Sequence, residues 1–161
     1  MYSTRNFFNM NELTKTILNE NDMLVFGESL AQVICSGVVL FLYGPLGAGK
    51  TTLVRGILAG LGYQGKVKSP TYTIVEPYSV SDKQIFHFDF YRVADSKELE
   101  MIGIYDYFSL SSICLIEWPE HGFPLLPESD ISCYIFFAKE NAREMRLEAY
   151  SERGKEMLRL L

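Results

Sequence analysis

The segment Gly44-Pro45-Leu46-Gly47-Ala48-Gly49-Lys50-Thr51 fills every fixed position of the phosphate-loop pattern G-x-x-x-x-G-K-[ST]. This string constrains a fold tightly, because the loop works only between a buried strand and a helix. The run Val38-Val39-Leu40-Phe41-Leu42-Tyr43 predicts the entering strand, and Thr52 to Ala59 predicts the departing helix. Glycines let the backbone curl until successive N–H groups point at phosphate oxygens. The helix N-terminus adds the positive end of its dipole. Lys50 is expected to reach the β- and γ-phosphates, and Thr51 to offer its hydroxyl to Mg²⁺. The chain is therefore expected to bind a nucleoside triphosphate with Mg²⁺ through Gly44, Leu46, Gly47, Ala48, Gly49, Lys50 and Thr51.

With 161 residues and 48% hydrophobic content, the chain is sized for one α/β domain spanning residues 1–161. Its first ten residues are polar and expected to be loosely held. A net charge of −5 argues against a general nucleic-acid binder, which needs clustered Lys and Arg. Cys35, Cys114 and Cys133 lie in apolar segments without C-x-x-C spacing and read as buried free thiols. The start lacks a signal-peptide core, and no stretch reaches the roughly 20 apolar residues of a membrane span. These features imply a cytoplasmic protein.

Apolar strands alternating with helices imply a largely parallel sheet covered on both faces, with an antiparallel edge from a hairpin near the C-terminus. Expected strands are Thr14–Leu18, Gln84–Phe90, Ser111–Glu117, Ile131–Phe137 and Arg143–Tyr150, with a further strand at Thr73–Pro77. Asn21 or Asp22 is expected to cap a helix running to about Cys35, and Gly60 and Gly62 to end the loop helix. Short and terminal helices are expected at Ser96–Met101 and Glu152–Leu161.

Ligands bind outside the carboxyl ends of parallel strands, so two strand-end acids stand out. Asp89 is placed to bind Mg²⁺ directly or through water; the competing reading is a helix cap or surface acid. Glu117 is placed to orient or deprotonate the attacking water; the competing reading is a structural acid. No Asn is followed by Lys and no Asp has Gly three residues on, which removes the guanine-reading and metal motifs of GTPases. Arg92 is the only arginine between Arg55 and Arg143, so a kinase's arginine-rich lid is missing. The loop Lys66-Val67-Lys68-Ser69-Pro70-Thr71-Tyr72-Thr73 reads either as a nucleotide-sensing switch or as an inert connection. His87 and His121 carry no functional signal: a lone His in an apolar strand reads as a satisfied core residue.

Four blocks in order resemble the TsaE (older name YjeE) family: Gly44–Thr52, Val67–Thr73, His87-Phe88-Asp89-Phe90-Tyr91-Arg92 and Ile116-Glu117-Trp118-Pro119-Glu120. Pro45 stands where the family often has Asp, and Phe90 where Leu is common. The resemblance implies a phosphate-loop NTPase three-layer sandwich, mainly parallel with an antiparallel portion. It implies a Mg²⁺-dependent ATPase, weak alone and needed for threonylcarbamoyl-adenosine (t6A) modification of tRNA. Such a protein docks on a TsaD–TsaB pair, resets it by hydrolysis, and meets tRNA only through that pair. By matching position, Lys50, Thr51 and Thr52 would hold phosphates and Mg²⁺, Asp89 Mg²⁺, and Glu117 the hydrolytic water, with Glu117 also within reach of the metal. Trp118 would lie near the nucleotide or partner, or serve as a core aromatic. No arginine finger stands out, which implies a group supplied by the partner. A P-loop small-molecule kinase is the alternative, as is a module in which ATP only toggles an interface. Either a monomer or a weak dimer is compatible with the chain.

Overall fold

The computed structural model describes residues 11–161; the expectation for residues 1–10 lies outside them. One seven-stranded sheet carries the architecture. Its strands are β1 (Glu12–Ile17), β2 (Val39–Tyr43), β3 (Val75–Val80), β4 (Lys83–Asp89), β5 (Ser112–Glu117), β6 (Ile131–Phe137) and β7 (Arg143–Ala149). They lie in the order β1-β7-β6-β2-β5-β4-β3. The central strands β6, β2, β5 and β4 are parallel. Antiparallel pairing occurs at both flanks: β7 and β1 beyond β6, and β3 beyond β4.

The hairpin at residues 131–149 and a strand near each outer edge are expected from the sequence; the antiparallel placement of β1 beyond β7 and of β3 beyond β4 is not. β3 and β4 pair from Val80 and Lys83, so only Ser81 and Asp82 connect them. Such tight turns favour Asn-Gly, and here Ser81 takes the positive φ instead, at 53°. The turn signal in the sequence was correspondingly weak. β1 reaches β7 across most of the chain length, a pairing that no local pattern announces.

Leu40 and Leu42 of β2 face α1 (Glu20–Val33) and α2 (Lys50–Leu61), packing with Leu53 and Ile57. All four are fully buried, and each contributes about 1.5–3 kcal/mol. That burial fixes both anchors of the loop between β2 and α2. The opposite face is aromatic: Phe41, Phe88 and Phe90 pack with Leu99 of α3 (Lys97–Met101) and Ile104 of a 3-10 turn. The terminal helix α4 (Glu152–Leu160) adds Met157 and Leu158 to the aliphatic side. Among the described residues, no helix is long and apolar enough to cross a membrane.

Three local expectations are corrected. The cap of α1 is Asn19, not Asn21 or Asp22. Its side chain accepts from the Asp22 N–H at 2.9 Å, while Asp22 accepts from the Leu18 N–H at 3.2 Å. The two bonds satisfy the N–H groups of Asp22 and Leu18 and let the helix begin earlier. Gly60 does not end α2. It lies inside the helix, where an added Cβ would sit 2.6 Å from the Ala31 Cβ, so its small size serves helix contact. Gly62 does end it, at φ 102°. Cys35 is exposed, because it falls beyond the apolar stripe of α1 in the turn to β2; Cys114 and Cys133 are buried.

Candidate nucleotide site

At the carboxyl end of β2 the chain turns through Gly44, Gly47 and Gly49, with φ of 151°, 79° and 108°. Nothing lies within 4 Å of where a Cβ on Gly47 would stand, so this part of the loop opens outward. Lys50 begins α2 and folds back over the loop. Its Nζ donates to the carbonyls of Gly44 at 2.6 Å and Pro45 at 3.0 Å. The ammonium also lies 4.2 Å from the centroid of the Trp118 ring. Burial pushes the Lys50 pKa below its ordinary value, opposed by Glu117, Asp89 and Glu120. The ammonium is therefore short of hydration and suited to exchange carbonyls for phosphate oxygens.

The parallel register sets Glu117 beside both Leu42 of the loop strand and Asp89 of β4. Both acids are nearly fully buried. Thr51 Oγ1 donates to Glu117 Oε1 at 2.8 Å, and His87 Nε2 lies 2.8 Å from the same oxygen. Asp89 is held from the other side, by the Tyr91 N–H at 2.9 Å and Thr71 Oγ1 at 3.2 Å. Burial holds the Asp89 carboxyl above its usual range, reinforced by Glu117 and opposed by those two hydrogen bonds.

Lys50, Thr51, Thr52, Asp89 and Glu117 line one cleft of about 410 Å³, together with Leu46, Gly47 and Gly49. Gly44 lies under the loop through its carbonyl, and Ala48 is buried within it. The 66–73 loop contributes Ser69 and Thr71, bonded to each other at 2.7 Å. Arg92 also lines this cleft and rests over the Tyr72 ring at 4.3 Å. It is an arginine at the site that its isolation in the sequence had hidden. Two residues take left-handed backbone conformations near the site: Trp118, which lines the cleft, at φ 56°, and Ile74, whose carbonyl accepts from the Asp89 N–H, at φ 68°. For a β-branched residue this is strained, of order 1–3 kcal/mol. Trp118 is half-buried and turns its ring toward Lys50 and Tyr91, so it is part of the site wall.

A second space of about 280 Å³ adjoins the loop between Asn19, Met23, Ala48, Thr52 and Arg143. Arg143 clamps the loop from β7: Nε donates to the Ala48 carbonyl at 3.1 Å and Nη2 to the Gly47 carbonyl at 3.3 Å. Arg143 is not singled out in the sequence, and His87, expected there to be a satisfied core residue, instead meets Glu117 and leaves Nδ1 without a partner. Arg143 is brought to the loop by an antiparallel strand 95 residues away. For His87, the pattern H-x-D at a strand end was the available signal, since alternate residues share a face.

The donors present fit a magnesium nucleotide. No group of three or more His, Cys, Asp or Glu among the described residues could hold a metal alone. Mg²⁺ ordinarily uses one or two carboxylates with substrate phosphates, which is what Thr51, Glu117 and Asp89 beside an open phosphate loop offer.

The chain is similar to known proteins. The family model described as "Threonylcarbamoyl adenosine biosynthesis protein TsaE" matches residues 17–146. The tRNA threonylcarbamoyladenosine biosynthesis protein TsaE of Haemophilus influenzae is 49% identical over 154 residues, covering 92% of this chain and 97% of that protein. The protein of the same name from Bacillus subtilis is 34% identical over 144 residues, covering 89% and 90%. The crystal structure of Bacillus subtilis YdiB superimposes with a TM-score of 0.79 at 29% identity, covering 92% of each chain.

Proposed function

This chain belongs to the TsaE family, and on that premise we propose that it is a cytoplasmic Mg²⁺-dependent ATPase of tRNA threonylcarbamoyladenosine formation. It forms one functional domain, docks on a TsaD–TsaB type pair, and resets that pair by hydrolysing ATP. The observation that carries the nucleotide chemistry is the 2.8 Å bond from Thr51 Oγ1 to Glu117 Oε1. It joins the metal-binding hydroxyl of a phosphate loop to a buried carboxylate on the neighbouring strand.

In this reading the loop N–H groups and Lys50 receive the phosphates, and Lys50 gives up the Gly44 and Pro45 carbonyls to do so. Thr51 and Glu117 form the metal side of the cleft. Bound Mg²⁺ supplies charge neutralisation across the β- and γ-phosphates. Asp89 stands on the opposite wall with Thr71, where it orients the attacking water. This assignment reverses the roles expected from the sequence, where Asp89 takes Mg²⁺ and Glu117 the water, and divides the two acids by their partners rather than by strand position. Thr52 and the space beside Asn19, Met23 and Arg143 take the nucleoside.

The test is ATP hydrolysis by the purified chain, with and without the partner pair, using Glu117→Gln as control. Slow turnover, stimulated by the pair and reduced at least about 10²-fold in the variant, is expected for loss of a group this close to the reaction. Rates indifferent to the pair overturn the partner-activated reading. Phosphate transfer to a metabolite in place of water identifies a kinase.

A further inference from the structure

His87 is fully buried on β4, on the face that carries Ile85 before it and Asp89 after it. The equivalent face of β5 carries Ile113, Leu115 and Glu117. Along both strands the aliphatic core gives way to acids, and His87 stands at the boundary. Its Nε2 lies 2.8 Å from Glu117 Oε1, with both side chains essentially inaccessible to water. Its Nδ1 is buried and has no hydrogen-bond partner.

A carboxylate oxygen only accepts, so the ring hydrogen of this pair belongs on Nε2. The tautomer with hydrogen on Nε2 leaves only a lone pair at the unpartnered Nδ1. A histidine kept merely for packing would have no reason to leave a ring nitrogen unsatisfied, since an unpaired buried polar atom costs about 1–3 kcal/mol. Leucine at this position would avoid that cost and match its neighbours.

Both hydrogen bonds to Glu117 fall on Oε1. The carboxylate is thereby fixed in rotation, with Oε2 left for the cleft that Glu117 lines. Thr51 donates to the same oxygen while its lone pairs remain for the metal, so its hydroxyl serves two groups at once. His87 has no second duty.

We propose that His87 is a positioning residue: its Nε2–H pins Glu117 Oε1 so that Oε2 is presented to Mg²⁺-bound nucleotide. The inference rests on the magnesium-nucleotide reading of the site and is independent of the client and of hydrolysis. Groups that hold a metal ligand in place typically change metal affinity or activity by about 10–100-fold when lost.

The experiment compares His87→Gln, which keeps an N–H near the Nε2 position, with His87→Asn, whose amide is too short, and with His87→Leu, which has no donor. Titration with ADP and ATP, read by fluorescence of Trp118 (the single tryptophan), is done with and without Mg²⁺. Expected is a loss of at least about tenfold in Mg²⁺-dependent nucleotide affinity for His87→Leu and His87→Asn. Affinity without Mg²⁺ should be unchanged, and His87→Gln should recover most of the loss. In parallel, ¹⁵N imidazole shifts of the nucleotide-free protein should show hydrogen on Nε2. Hydrogen on Nδ1 alone overturns the proposal. So does equal Mg²⁺-dependent affinity in folded Gln, Asn and Leu variants. A protein that loses Mg²⁺ affinity in this pattern yet never hydrolyses ATP upholds the role of His87 while the ATPase reading falls.

Discussion

The two walls of the cleft are built in opposite ways. The wall of the phosphate loop, β5 and α2 is anchored in the aliphatic core, and its polar groups bond one another: Lys50 to the loop, Thr51 and His87 to Glu117. The wall of the 66–73 loop meets the acids through one side-chain bond, from Thr71 to Asp89 at 3.2 Å. Its other side-chain bonds are the Ser69–Thr71 pair, Lys68 with the Tyr78 hydroxyl, Thr73 with Glu76 and Arg92 with Tyr72, and a strained Ile74 lies at its base. One wall is fixed before any ligand arrives. The other is joined to the site's acids by a single side-chain contact. The difference teaches that the two acids sit in unlike settings: Glu117 belongs to a hydrogen-bonded cluster, while Asp89 faces a loop that meets it through Thr71.

Lys50→Ala breaks the first wall and carries the largest expected effect. Nucleotide affinity measured by calorimetry should fall below detection, a loss of at least about 10²-fold, as expected for a desolvated charge on phosphate. Retained affinity would mean that the loop backbone alone binds phosphate. Thr71→Ala probes the second wall and should be milder. Turnover should drop roughly tenfold, the equivalent of one net hydrogen bond of about 1.4 kcal/mol, with nucleotide affinity nearly unchanged. Equal losses in affinity and turnover would erase the distinction between the walls.

Asp89→Asn sharpens the comparison with the smallest effect, on stability. The folded-state pKa of Asp89 is raised, by burial first, so its ionised form costs stability above both folded and unfolded values. Removing the charge should raise Tm at pH 7–8, by roughly 2–4 °C for each kcal/mol relieved. Glu117, His87 and Lys50 stay in place beside it. The gain should shrink as pH falls through the raised pKa and vanish below the unfolded value of about 3.9. A gain that grows toward acid pH would contradict a buried, unfavourable charge.

Legibility in the sequence followed the range of the physical cause. The loop, its strand and its helix were readable because hydrophobic runs and glycine spacing act within about a dozen residues. Asp89 and Glu117 were readable as strand-end acids for the same reason. Which hydroxyl each would meet was not, because the register between β4, β5 and β2 decides it. The sheet's outer strands, β1 and β3, depend on long-range pairing and a Ser81-Asp82 turn with little signature. His87 looked like a core residue because its strand is apolar on both sides, and only the fold sets Glu117 against it. Arg143 is the same lesson at greater distance.

Arg143 also gives the molecule a mechanical property. Its guanidinium grips the Ala48 and Gly47 carbonyls while donating to the carbonyls of Asn141 and Ala142 and resting 4.6 Å over Phe137. One side chain thus rivets the tip of the β6–β7 hairpin to the phosphate loop. The hairpin in turn carries β1 in register from Glu12 to Ile17. The phosphate loop, the β6–β7 hairpin and β1 are thus tied into one continuous piece of structure, with Ile17 of β1 in register with Arg143 itself.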